Sequence, residues 1–282
     1  MNLEFDATFR VKLPETTNIN AQNLFMFNMY RSGSSVIESV SMILAKASNR
    51  TGLNLTRICF SNGVELFDSQ DFRKNSIFLQ HDGAQLVKLC DFGGYVVFGF
   101  REVPFGFAEH FSHIGASLLV VRDPRDIGIS HYYSVQNHST DNAVVKSHIL
   151  ELRDITARMS LEEYILSDDT IAFIRRTVLC YKSMISRGLT VWKYEDFCPS
   201  GRLDIRLFSE ALLGHFKSYI LPDWTVDKFT DNAKMRIANN KFLQGHSSTA
   251  AIRSYNDLAA PVRAAYTAKL EDALALLNYG ND

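Results

Sequence analysis

Arg31-Ser32-Gly33-Ser34-Ser35 puts one guanidinium, three hydroxyls and a glycine on five consecutive positions, between the apolar run FMFNMY and the helical rhythm of VIESVSMILAKA. A strand that feeds a short Gly/Ser turn and then a helix leaves backbone N–H groups unpaired at the helix start, with the positive end of the helix dipole behind them. Such a corner suits a phosphate or a sulfate. Gly33 permits close backbone approach, Ser34 and Ser35 add hydroxyl donors, and Arg31 can meet an anion through two N–H groups at once. The same residues also fit a plainer reading, with Ser34 capping the helix and Arg31 solvated. A second stretch shifts the balance toward anion binding. In LLVVRDPRDIGISHYYSVQNH, residues 118–138, Arg122 ends an apolar strand, a Pro corner follows, and Ser130 stands eight residues on, about two turns into the returning helix. Because the chain reverses between them, Arg122 and Ser130 can converge on one anion. Two anion sites at neighbouring strand ends mark the crevice where open α/β folds bind ligands. A nucleotide phosphorylated at two places satisfies both. The first turn is not a Walker A loop, since GxxxxGK[ST] is absent and the loop is too short to wrap a triphosphate.

The elements that must position these residues are legible as apolar runs: LFMFNMY (24–30), QLVKLC (85–90), YVVFGF (95–100), SLLVVR (117–122) and LTVWKYEDF (189–197). Near-continuous apolar strands belong to a parallel sheet covered on both faces. Val36, Ile37, Val40, Ile43 and Leu44 give a helical spacing after the first turn. SLEEYILSDDTIAFIRRTVLCYKSMISRG predicts one long helix ending at Gly188, with Ser160 and Glu163 as a capping box, and a last helix is expected from Pro261 to Leu277. The fold class predicted is α/β, a mostly parallel central sheet flanked by helices, in a single domain over 1–282, with the polar stretch 137–159 as a mobile insertion or lid. The chain, 46% hydrophobic, can bury a large core without disulfides or metal. A formal charge of −1, with charged residues spread along the chain, excludes the basic footprint of a nucleic-acid binder. Cys59, Cys90, Cys180 and Cys198 form no CxxC pair and read as core thiols in a reducing compartment. There is no apolar run of signal-peptide or membrane-span length, so a cytoplasmic protein with no membrane partner is expected.

The two stretches resemble the sulfotransferases that use 3′-phosphoadenosine-5′-phosphosulfate (PAPS). RSGSS at 31–35 is similar to their 5′-phosphosulfate loop, RDPRDIGISHYY at 122–133 to their 3′-phosphate motif, and KYEDF at 193–197 to a later strand of their P-loop-like fold. The likeness covers residues 24–200. It implies that Arg31, Ser32, Gly33, Ser34 and Ser35 hold the 5′ end and that Arg122 and Ser130 hold the 3′-phosphate. Beyond 200 the family's Arg-Lys-Gly-x-x-Gly loop is replaced by KFLQGHSSTAAIRSYNDL. There the resemblance would make Gly245 the counterpart, with Gln244 and His246 beside it as nucleotide contacts and Lys241 and Arg253 as further donors, while the same Gly-, Ser- and Asn-rich loop also fits a flexible surface turn.

The resemblance implies in-line transfer of a sulfuryl group from PAPS to a hydroxyl or amine of a small-molecule or saccharide acceptor, releasing PAP, without metal. Arg31 would stabilise the bridging oxygen of the leaving PAP. GFREV at 99–103 resembles a Gly-Phe-Lys-Glu strand end in some members, which makes Glu102 the expected general base and Arg101 a second anion contact. Arg101 and Glu102 also suit a structural ion pair, and His110, His113 and His131 are further candidates for the base. Phe92, Tyr95, Phe98, Phe100, Phe105, Phe107 and Phe111 read either as acceptor-pocket walls or as core. Two other functions stay open: a P-loop-like phosphoryl-transfer kinase, and a non-catalytic nucleotide-binding protein of the same fold.

Overall fold

The structure is a computed structural model that describes residues 2–6, 9–16, 18–55, 57–58, 87–103, 107–137, 143–199, 203–240 and 254–280. The chain divides into two compact units, Met1–Val121 with Cys180–His246, and Arg122–Leu179 with Ser247–Asp282.

The first unit carries a short antiparallel hairpin, β1 (Asn2–Asp6) and β2 (Phe9–Lys12), and a five-stranded all-parallel sheet. The sheet strands are β3 (Leu24–Asn28), β4 (Thr51–Asn54), β5 (Tyr95–Phe100), β6 (Ser117–Val121) and β7 (Thr190–Lys193), in spatial order β4-β5-β3-β6-β7. β3 is central, with Phe25 beside Ser117 of β6 and Leu24 beside Val96 of β5.

Every residue of β3 and β6 is buried, as a sheet covered on both faces requires. Leu24 and Met26 join Val96, Phe98, Leu118 and Val120 in a core shared with α1 (Ser34–Ala47), α8 (Ile205–His215) and α9 (Val226–Ala238). Phe25 and Phe27, on the alternate positions, meet an aromatic layer: Phe111 lies 4.8 Å from Phe25, and Phe100, Phe107 and Tyr181 lie 5.0, 6.3 and 6.0 Å from Phe27. Each such ring contributes about 1.5–3 kcal/mol by burial. Tyr95, Phe98, Phe100, Phe107 and Phe111 are therefore core, while Phe92 is exposed and Phe105 lies outside the described residues.

The second unit is built on α3 (Pro124–Asn137), which packs against α4 (Ala143–Arg158), α5 (Leu161–Leu166) and α6 (Asp168–Leu179); α10 (Ala260–Lys269) and α11 (Glu271–Leu276) complete it. α2 (Phe107–His110) and α7 (Lys182–Ser186) belong to the first unit. The stretch 137–159, expected as an insertion or lid, is helical over Ala143–Arg158.

Several expectations are corrected. The single helix read over 160–188 is three. The Ser160–Glu163 capping box opens α5 as predicted, but extended backbone at Ser167 stops it, and the Ser167 Oγ accepts from the Thr170 N–H to start α6. The last helix breaks at Leu270 into α10 and α11. Residues 88–90, read as the end of a strand over 85–90, lie in a 3-10 turn, Lys88–Asp91, and the Asn23 side chain holds the backbone just after it: its Oδ1 accepts from the Tyr95 N–H at 2.8 Å and its amide donates to the Phe92 carbonyl. β7 stops at Lys193, and Tyr194–Phe197 is a 3-10 turn.

Candidate functional site

The corner after β3 is made by backbone conformation. The Met29 N–H still donates to the Val120 carbonyl of β6 at 3.1 Å, after which Ser32 closes the turn, donating to the Met29 carbonyl from its N–H at 3.3 Å and its Oγ at 2.6 Å. Arg31 and Gly33 both take positive φ, 61° and 77°. Alternation of this kind aims successive N–H groups to one side and forms an anion-binding concavity. No side chain caps α1: Val36 and Ile37 donate to the Gly33 carbonyl, and the N–H groups of Gly33, Ser34 and Ser35 have no partner among the described residues. The plain helix-cap reading of Ser34 is thus overturned. Ser32, expected among the anion contacts, is fully buried with its hydroxyl turned into the chain, so it shapes the turn.

Tyr194, at the start of the KYEDF turn, supplies a feature that sequence reasoning missed. Its ring lies against Gly33, where a Cβ would stand 2.7 Å from Cε2. The glycine is needed both for its φ and for this contact.

Glu102 follows β5 and is 8% exposed; the electrostatic reach of its carboxylate includes Tyr181, a fully buried phenol without a hydrogen-bond partner among the described residues. Arg101 stacks its guanidinium over the Tyr30 ring at 5.4 Å, next to Arg31 in sequence. A second carboxylate, Glu38, stands on α1 four residues after Ser34 and pairs with Arg57 at 2.7 Å. Burial raises its pKa above the usual carboxylate range, while the positive charges of Arg57, Arg101 and Arg236 oppose that rise. The signal for Glu38 was an acid set among the apolar positions Val36, Ile37 and Val40, in the second turn of the helix that RSGSS opens.

The corner after β6, in the second unit, is made by side chains. The Asp123 carboxylate accepts from the Arg125 N–H at 2.9 Å and from its guanidinium at 2.8 Å, and the Asp123 carbonyl accepts from the Asp126 and Ile127 N–H groups. With Pro124 contributing no N–H, the first turn of α3 is filled, and any anion contact here falls to side chains. Arg122 is one-fifth exposed and donates to Asp126 Oδ2 at 3.3 Å. Ser130 is half-buried on the second turn of α3. The other oxygen of Asp126 accepts from the Tyr255 N–H at 2.8 Å, and the Arg125 guanidinium lies 4.2 Å from the Tyr255 ring centre. The turn Tyr255–Asp257 is thereby fixed to the start of α3. Burial raises the pKa of Asp126, against the pull of Arg122 and the Tyr255 N–H.

The histidines divide clearly. His113 sits before β6 at the amino ends of the strands, its ring against Phe25 and Phe111, so it is remote from the corner after β3. His131 shares a 2.6 Å hydrogen bond with the Tyr164 hydroxyl, whose pKa burial pushes up to about 12. His110 is exposed on α2. Gln244, Gly245 and His246 lie outside the described residues, as do Lys241 and Arg253. Among the described residues, no group of three or more His, Cys, Asp or Glu could hold a metal ion, and no helix is long and apolar enough to cross a membrane. No family model, curated protein or solved structure matches the chain.

Proposed function

We propose that this chain is a PAPS-dependent sulfotransferase that moves a sulfuryl group to a hydroxyl or amine of a small-molecule or saccharide acceptor. The observation that carries the reading is the corner after β3: three consecutive N–H groups without a partner among the described residues, at the start of a 14-residue helix and beside Arg31. A tetrahedral anion with a bridging oxygen suits that donor set in charge and hydrogen-bonding type. The strand order supports the same reading. β3 and β6 are hydrogen-bonded neighbours whose following connections lead to opposite sides of the sheet, β4 and β7, which makes their carboxyl ends a topological switch point. Each of the two anion motifs follows one of these strands.

In this reading the N–H groups of 33–35 and Arg31 hold the 5′-phosphosulfate, Arg31 stabilises the leaving oxygen, and Arg122 with Ser130 takes the 3′-phosphate of PAPS. The protein's task is alignment and charge stabilisation, so no covalent intermediate is needed. Two carboxylates qualify as the base that takes the acceptor's proton, Glu102 from the resemblance and Glu38 from its place beside the nest. Gln244, Gly245 and His246 remain proposed nucleotide contacts on resemblance alone.

The test is incubation with labelled PAPS and a panel of hydroxyl and amine acceptors, with chelator present. Transfer of label with release of PAP is expected. Turnover of ATP that depends on magnesium, with no transfer from PAPS, would replace this reading by the kinase.

A further inference from the structure

Asp126 is partly buried, its side chain 15% exposed, and uses both oxygens, one on the Arg122 guanidinium and one on the Tyr255 N–H, 129 residues away in sequence. The link is reinforced from its other side. Arg125, 6% exposed and clamped by Asp123, stacks on the Tyr255 ring, and the Tyr255 hydroxyl shares a 2.7 Å hydrogen bond with Thr267 of α10. Ser254 and Asp257 close a capping box around the same turn. Four side chains from α3, the corner before it and α10 thus hold a peptide N–H in one position, and that N–H ends on the carboxylate that grips Arg122. Arg122 has a long side chain with several rotatable bonds, and fixing it in advance reduces what a ligand must order on binding.

We propose that Asp126 is a positioning residue for the nucleotide's 3′-phosphate: it makes the 254–257 turn a support for Arg122, so that recognition of the phosphate depends on a part of the chain that does not touch it. This rests on the PAPS reading above and gives a role to a residue of the 122–133 motif to which the resemblance assigns none. Two effects oppose each other when the carboxylate is removed. Losing a negative charge near the phosphate favours binding, whereas releasing Arg122 disfavours it. The two-sided grip on Asp126 makes the second effect the larger one.

Asp126→Asn tests this without changing shape, since the amide oxygen still accepts from Tyr255 while its NH2 cannot accept from Arg122. Calorimetry with PAP and with AMP, which lacks the 3′-phosphate, separates the outcomes. Wild-type protein that binds both equally would sink the PAPS reading itself. If wild type prefers PAP, Asp126→Asn is expected to weaken PAP about tenfold and leave AMP unchanged. Unchanged or tighter PAP binding would overturn the proposal. In an Arg122→Ala background the same change is expected to have no further effect, because Asp126 acts through Arg122. A full additional loss there would also overturn it. A melting scan of each variant checks that the loss is not one of folding.

Discussion

The corners after β3 and after β6 solve the same problem in opposite ways. Each takes a fully buried strand into a 14-residue helix and must satisfy the N–H groups of the first helical turn. After β6, Asp123, Pro124 and the Asp123 carbonyl account for the first turn, so in the proposed reading the ligand contacts there are made by side chains, Arg122 and Ser130. After β3, positive φ at Arg31 and Gly33 and the absence of a side-chain cap leave the backbone itself as the donor. The difference teaches that RSGSS and RDPRD are not two copies of one device. The first is a backbone seat whose geometry depends on glycine. The second is a guanidinium, Arg122, paired with the Asp126 carboxylate.

Substitutions that remove chemistry from one corner while sparing the other have the largest expected effects. Glu38→Gln and Glu102→Gln, measured side by side, are expected to split: the variant lacking the general base loses roughly 10²–10⁴ in kcat with PAP affinity intact, and the other stays within a few fold. Two fully active variants would exclude a carboxylate base. If the role falls to Glu38, kcat/KM rises with pH through a pKa above the ordinary 4.5, as burial dictates, and that acid limb disappears in Glu38→Gln. Arg122→Ala should weaken PAP by on the order of a hundredfold and barely alter AMP, since a charged contact to phosphate is lost. Equal losses for both ligands would mean that Arg122 does not read the 3′-phosphate.

Smaller effects sharpen the backbone side of the comparison. Gly33→Ala meets both the left-handed penalty and the Tyr194 ring, and a stability loss of about 2–3 kcal/mol by chemical denaturation is expected, along with loss of the 5′ seat. Gly128→Ala, in the middle of α3, would place its Cβ 2.3 Å from the fully buried Tyr266 hydroxyl, and should cost about 1–3 kcal/mol. Ser32→Ala removes one buried hydrogen bond and should lower stability by about 1 kcal/mol.

Periodicity carried the sheet because β3, β5 and β6 are buried on both faces and their sequences have no other use for so many apolar residues. β4 was missed, as TGLN is a short polar edge strand with one buried side chain, Leu53. The breaks at Ser167 and Leu270 were hidden because the apolar rhythm runs on across them, and a cap decided by one hydroxyl does not show in periodicity. RSGSS was legible as a turn before a helix, yet the roles within it were not. Ser32 turns inward to Met29, and Gly33 answers to a tyrosine 161 residues later. The Arg122–Asp126–Tyr255 link was likewise illegible, since its two ends meet only in the folded second unit.

Calorimetry of the wild-type protein with PAP, AMP and ATP tests the central claim most directly. PAP is expected to bind at least a hundredfold more tightly than AMP or ATP, because only PAP carries a 3′-phosphate as well as a 5′-phosphate. Equal affinity for the three nucleotides would contradict it.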